Sequence, residues 1–277
     1  MKYFIDTEFF EDFHKPLFGK KRHFIDLISI GIVAEDGREY YAISKDFDLK
    51  TVWNKYDTDP EHKRNYPPKK DYWLRDNVLK PIFTEQVKVW ARDEMRANRF
   101  STTVNYNPNI SFTCRNFKKI IKRFGKYNKQ IAKEIIQFVY ADVFKNFSGA
   151  EKEFHARTKE YGWNIDSPIE FYGYYSAYDH VLLSSLFGRM IDLPTGFPMY
   201  MRDLKQMLDE KVEKEILMCH DCQTEYYLNN YDGRHITKEG ISSALKSRGN
   251  YPKQENEHSS ICDARWNRKL YEFLNTL

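Results

Sequence analysis

The sequence is poor in cysteine, with four in 277 residues. That is too few for a disulfide scaffold, so a reducing cytoplasmic compartment is the simplest expectation. Long apolar runs are also missing. The longest such stretches, Leu27 to Ala34 among them, fall far short of the roughly 20 residues a membrane helix needs, and no membrane partner is expected. The N-terminal apolar segment is interrupted by Asp6 and Glu8, so no secretory signal is expected either. A strong net charge is absent: 44 basic residues stand against 40 acidic ones, for a formal charge of +4. By itself that is a weak argument for nucleic acid. Neither an internal repeat nor a low-complexity tract stands out.

What is present excludes a disordered chain. Hydrophobic residues make up 41% and aromatics 16%, enough buried surface to offset the entropy of ordering. The length suits one generous domain or two small ones with a sizeable core.

The opening third reads as sheet. Lys2 to Phe9, Phe24 to Ala34 and Glu39 to Ser44 are strand candidates. Asp36-Gly37 between the last two is a hairpin signal, since glycine accepts the positive φ of tight turns. A polar, proline-bearing loop is expected from Asp57 to Asp71. Helical spacing then dominates, with candidates at Asp71 to Leu79, Thr84 to Asn98, Arg115 to Phe147 and Ala150 to Tyr161. Ile169 to Tyr174 is a short strand candidate. Ala177 to Gly188, Met201 to about Lys211, and Ser260 to Leu274 read as helices, with a charged, turn-rich stretch from Val212 to Glu257. Strands followed by helices, with one later strand, predict an α/β protein: a mixed β-sheet flanked by helices.

Charge is unevenly placed. Between Arg115 and Lys133 there are eight basic residues and no acidic one. Most recur every three or four positions, opposite Phe117, Ile120, Ile121, Phe124, Ile131 and Ile135, so one helical face would be basic and the other apolar. Such a stripe could follow a phosphate backbone; a solvated helix face is the plainer alternative. Gly125 falls inside the pattern and is a point where the helix could split.

The acidic residues carry more chemistry. Asp6 and Glu8 are two apart in a strand, so they share a face of an otherwise apolar segment. Like charges so close destabilise one another unless a cation lies between them. A solvated sheet edge accounts for the pair alone equally well. Asp179 lies where Tyr175-Ser176-Ala177-Tyr178 turns into a helix. Asp263 lies one turn into the C-terminal helix, with His258 five residues before it. Ser259 and Ser260 are candidate caps for that helix, which leaves His258 on the preceding loop. The acidic composition upstream suggests that this histidine is mobile rather than packed.

Taken together, these residues resemble the DEDDh branch of the DnaQ-like 3′-5′ exonucleases, which have a ribonuclease H-like fold. Asp6 and Glu8 match the first motif, Asp179 the second, and His258 with Asp263 the third. Further blocks look like the RNase AS group of adenylate-preferring exoribonucleases: Asp6 to Phe9, Ile25 to Tyr41, Leu74 to Leu79, Tyr175 to His180, and Asp192 to Met199. The resemblance implies a single exonuclease domain over residues 1–277. Insertions are expected at about 85–166, helical and basic, and about 209–254.

It also implies a mechanism. A phosphodiester repels hydroxide and has a poor leaving group, problems that two divalent cations about 4 Å apart address together. Hard oxygen ligands suit Mg2+, with Mn2+ a substitute. By resemblance, Asp6 would bridge two ions, Glu8, Asp179 and Asp263 would complete the cluster, and His258 would be general base towards water. The partner would be an RNA or single-stranded nucleic acid 3′ end, the product a nucleoside 5′-monophosphate, and the assembly a homodimer. Phe9 and Tyr178, aromatic residues beside metal ligands, are candidates for base contacts, with core packing the alternative. Ser176 is a candidate for a phosphate or sugar contact.

Two other readings stay open: a DNA exonuclease of the same fold, and a nucleic-acid-binding module without hydrolysis. Cys219-His220-Asp221-Cys222 invites zinc, but a structural site needs four ligands and no second such pair exists. Reduced thiols are the default there.

Overall fold

The computed structural model describes residues 1–14, 19–58, 70–97, 110–141, 168–212, 243 and 245–277. The first strand, β1 (Lys2–His14), pairs antiparallel with β2 (Arg22–Ala34), which pairs antiparallel with β3 (Glu39–Ile43). Between β2 and β3, the Gly37 amide bonds Ala34 and glycine takes φ of +89°, the conformation expected of Asp36-Gly37. A short helix, α1 (Leu49–Asn54), starts at Asp48, whose carboxylate accepts the Lys50 and Thr51 amides. Two short strands, β4 (Asp57–Thr58) and β5 (Lys70–Asp71), pair at the ends of the expected polar loop. A π-helical segment over Leu74–Leu79 runs into α2 (Lys80–Ala97).

Next come α3 (Cys114–Phe124) and α4 (Asn128–Val139), where one long helix was expected. The helix breaks at Gly125, which is extended, because the chain pairs with the end of β3 there. Lys126 donates its amide to the Ile43 carbonyl and accepts from the Lys45 amide, both at 2.8 Å. The expected helix over Ala150 to Tyr161 lies outside the described residues, as do Cys219, His220 and Cys222. The second half of the fold contains β6 (Glu170–Gly173), α5 (Ala177–Ser185), β7 (Arg202–Asp203), α6 (residues 204–212) and α7 (Ser260–Leu274). Both β6 and β7 join in parallel, giving a five-stranded mixed sheet in the order β3-β2-β1-β6-β7.

Alternation along the strands divides the core between the two faces of this sheet. Tyr3, Ile5, Ile30 and Ile32 pack with Ile131 and Ile135 of α4 and Leu182 and Leu183 of α5. Phe4 and Val33 face the other way, towards Leu204 and Leu208 of α6 and Ala264 and Leu270 of α7. A third cluster, around Phe10, Ile28 and Ile43, is closed by Val78, Leu79 and Ile82 and by Phe117 and Ile120 of α3. The described part of the expected first insertion is therefore built into the core. The mixed α/β architecture with flanking helices matches the expected class and is compatible with a ribonuclease H-like exonuclease.

Candidate active site

The site forms where α7 crosses the β1–β2 pair. Gly31 is the partner of Asp6 in the ladder. A side chain there would put a Cβ atom 2.3 Å from the Ser260 carbonyl oxygen, so only glycine lets the start of α7 lie so close to the sheet. Two pairs along, Glu8 faces Ser29, and the Ser29 and Ser260 hydroxyls are 3.0 Å apart. Asn267 of α7 donates to the Ile5 carbonyl at 3.0 Å. These contacts pin the helix so that Asp263, at its first turn, comes over Asp6 and Glu8. One carboxylate oxygen from each of the three lies within 4.8 Å of the others. The register of the β1–β2 ladder shifts between Glu8 and Phe9, so the bulge begins just past the acidic pair.

Asp179 reaches the same neighbourhood by a different route. Strand β6 pairs with β1 only as far as Phe4, which leaves the edge of β1 open beyond it. There the Asp179 carboxylate accepts the Thr7 amide at 2.9 Å and the Thr7 hydroxyl at 2.5 Å. The turn before α5 is itself held by Asp203, which accepts from the amides of Tyr175 and Ser176. Asp179 is not one of the three whose oxygens converge within 4.8 Å, but its charge acts on Asp6 and Glu8.

Electrostatics follow from this crowding. Burial, then the carboxylates of Asp179, Glu8 and Asp263, holds the Asp6 carboxyl well above the usual carboxylate range. Glu8 is pushed up to about 8, by burial first and then by Asp263 and Asp179. Asp179 rises to about 7 through burial, against the opposing pull of the Thr7 hydrogen bonds. Asp263 is also raised by burial, while the Gln254 side chain and the His258 amide oppose the shift. All four shifts have one meaning: the protein alone does not compensate the negative charge it gathers here.

A cavity of about 530 Å³ opens over the cluster, bounded by Asp6, Glu8, Asp263, His258, Phe9 and Trp73 among others. His258 adopts φ of +65°, a left-handed conformation that costs a non-glycine residue about 1–2 kcal/mol. Its amide donates to Asp263 Oδ2 at 2.9 Å, while Gln254 donates to Oδ1 at 2.7 Å. The imidazole meets the Trp73 ring edge-on, with centroids 4.7 Å apart. It is thus packed in the cavity wall, contrary to the mobility expected from its acidic loop. Ser259 does stand at the N-cap of α7, but its side chain makes no capping bond; the Ser260 hydroxyl faces Ser29 instead.

The expected substrate contacts are placed differently from one another. Phe9 lines the cavity, and Tyr178 packs against it edge-on at 5.3 Å without lining it. Ser176 is buried and directs its amide and hydroxyl to Asp203. Trp73 and Lys55 were not anticipated. They flank the β4–β5 pair, Lys55 just before it and Trp73 just after it in the expected helix from Asp71 to Leu79, and no local pattern pointed to the cavity. Asn267 was missed as well; its carboxamide oxygen is buried at the wall with no hydrogen-bond partner among the described residues.

The donor set tests whether a metal fits. Three converging carboxylates, oxygen donors throughout, suit a hard divalent cation rather than zinc or copper. A cation would also offset the mutual repulsion of these carboxylates.

Comparison with known proteins agrees in kind. No protein-family model matches the chain. It is 28% identical over 211 residues to a 3′-5′ exoribonuclease of Mycobacterium tuberculosis, Rv2179c in strain ATCC 25618 / H37Rv. The same holds for 3′-5′ exoribonuclease MT2234.1 of strain CDC 1551 / Oshkosh. The alignment covers 76% of this chain and 76% of each relative. The likeness is to nucleases. It supports a relationship to 3′-5′ exonucleases.

Proposed function

We propose that this protein is a metal-dependent 3′-5′ exoribonuclease of the DEDDh kind, releasing nucleoside 5′-monophosphates from RNA 3′ ends. The observation that carries this reading is the convergence of Asp6, Glu8 and Asp263 beside His258, in a chain similar to an exoribonuclease over three-quarters of its length. Asp6, Glu8 and Asp263, with Asp179 at the edge of β1, would hold two Mg2+ ions, for which Mn2+ could substitute. When bound, such ions lower the pKa of the attacking water and stabilise the departing 3′ oxygen.

The protein's own groups supply the rest. His258 takes the proton of the attacking water, and the Asp263 carboxylate fixes the backbone that presents it. Gln254 fixes the other Asp263 oxygen, so both ends of that carboxylate are oriented before substrate arrives. Thr7 orients Asp179 through one oxygen, Oδ1, to which both its amide and its hydroxyl donate. Phe9 and Trp73 offer apolar walls to the terminal base, with Tyr178 bracing Phe9. Ser176 acts indirectly, through Asp203 and the start of α5. A preference for adenylate, a homodimer and a cytoplasmic setting belong to the same reading. The first two rest on resemblance, the last on the scarcity of cysteine.

The test is release of mononucleotides from a 5′-labelled single-stranded RNA in Mg2+, with oligoadenylate and a matched DNA alongside. Stepwise shortening from the 3′ end, lost in Asp6→Asn and in chelator, is the expected result. Faster release from DNA would transfer the assignment to a DNA exonuclease. Tight binding without release would make the protein a binding module.

A further inference from the structure

The eight cations between Arg115 and Lys133 take no part in lining the cavity. Two of them are engaged: Arg123 lies 3.5 Å from Glu94, and Lys126 bonds Glu134 at 2.5 Å. Arg115, Lys118, Lys119, Lys122, Lys129 and Lys133 are exposed, and none forms an ion pair among the described residues. At 100° per residue, the four on α3 fall within about 100° of one another. Phe117 and Ile120 are buried on the opposite side of that helix, so its orientation is set by the core. Lys129 and Lys133 are exposed one turn apart on α4, which packs on a different core cluster.

Between the two helices stands Tyr127, 62% exposed, with the Lys45 ammonium 5.5 Å from its ring centroid. The acids nearest this junction are already bonded: Asp46 accepts the Asn128 amide, and Glu134 is held by Lys126, Gln130 and Tyr40. Protein surfaces ordinarily intersperse charges of both signs, because a block of one sign repels itself. A single-sign face with an open aromatic ring fits a ligand that is anionic along its length and carries planar groups.

We propose that the basic face of α3, with Tyr127 just beyond it, is a second RNA-binding surface, which anchors single-stranded RNA upstream of the 3′ end being trimmed. The lysines follow the phosphates, and Tyr127 takes a base by stacking. The inference rests on RNA being the substrate. The surface shares a foundation with the cavity: Leu74, in the cavity wall, packs against the same cluster as Phe117 of α3.

The experiment compares the intact protein with Lys118→Glu/Lys119→Glu/Lys122→Glu and with Tyr127→Ala, using a 20-nucleotide RNA and a dinucleotide. Binding is followed by fluorescence anisotropy in Ca2+ and turnover in Mg2+, over a series of salt concentrations. The triple variant is expected to weaken 20-mer binding at least about tenfold. Its salt dependence should flatten by about two units of log K against log salt, from three lost phosphate contacts. Tyr127→Ala should lose roughly fivefold or more. In both, the loss should be confined to the long substrate. The neutral Lys118→Gln/Lys119→Gln/Lys122→Gln variant, with an unchanged melting temperature, separates charge from misfolding and should show the same trend.

Unchanged 20-mer affinity and salt slope would overturn the proposal, as would an equal loss on the dinucleotide, which places the effect in the cavity. Lysine-dependent binding to phosphatidylserine vesicles without binding to RNA would overturn it too. Should the long RNA bind through these lysines and yet no nucleotide be released in Mg2+, the exonuclease reading fails and the anchoring surface stands.

Discussion

Asp6 shows what the site demands of a single residue. Its carboxyl sits within a buried acidic cluster, and ionisation is opposed by burial and by three neighbouring carboxylates. Asp6→Asn removes one charge without changing shape. It should therefore raise the melting temperature of the metal-free protein while reducing nucleotide release to background. A variant that melts lower would show that the cluster is not under electrostatic strain. Glu8 makes a pH prediction with a definite sign. Its carboxyl rises from 4.5 to about 8 on folding, so folding favours its protonated form. The associated stability is complete below about pH 4.5 and is lost as pH climbs through 8. Metal-free protein should melt progressively lower between pH 5.5 and 8.5, and Glu8→Gln should flatten that slope. A profile in intact protein as flat as in the variant would refute the shift. His258 was legible as a candidate from its distance to Asp263. Its left-handed backbone and its contact with Trp73 were not, the contact because it joins His258 to a segment from the first third of the chain.

Among the elements, α7 and the β1–β2 pair matter most, and Gly31 governs how they meet. With the Ser260 carbonyl where a Cβ would go, Gly31→Ala must push α7 away from the sheet. Overpacking of this kind costs about 1–3 kcal/mol. The displacement also carries Asp263 away from Asp6, so activity should fall by more than the lost stability explains. A crystal structure of the variant and its melting temperature check both parts; an unmoved helix would contradict the argument. The alternation that put Asp6 and Glu8 on one face was visible in the sequence, as was the amphipathic helix that bears Asp263. The extension of β1 past Phe9 to His14 was not, since Glu11 and Asp12 end its apolar run and what continues the strand is its pairing with Arg22 to Leu27. The break at Gly125 was a point of suspicion only. What settles it is the pairing of Lys126 with the end of β3, a tertiary contact rather than a helix propensity.

Over the whole molecule, the near balance of 44 basic and 40 acidic residues conceals two separated fields. Acids from both ends of the chain meet in the cavity, while the basic residues of α3 crowd a face of their own. The first field predicts linkage between metal and folding. Any ion bound only by the folded state stabilises it by RT ln(1 + [L]/Kd), about 2.7 kcal/mol at a hundredfold excess over Kd. Titrating Mg2+ should thus raise the melting temperature of the intact protein, and should do so little in a variant carrying both Asp6→Asn and Asp263→Asn. Equal shifts in both would place the ion elsewhere.

The sequence by itself singled out the acidic residues that converge at the cavity. Strand period placed Asp6 and Glu8 together, helix period placed Asp263 on the first turn of α7, and composition excluded a membrane helix or a disulfide scaffold. Such local periodicities survive without knowledge of the fold because they are properties of the backbone. Only the tertiary structure decided that Asp263 meets the strand pair through the gap at Gly31, and that Asp179 is clamped by Thr7 at an open sheet edge. It alone placed Trp73 and Asn267 in the cavity wall. Those are contacts between residues distant in sequence, fixed by packing geometry that no local pattern records.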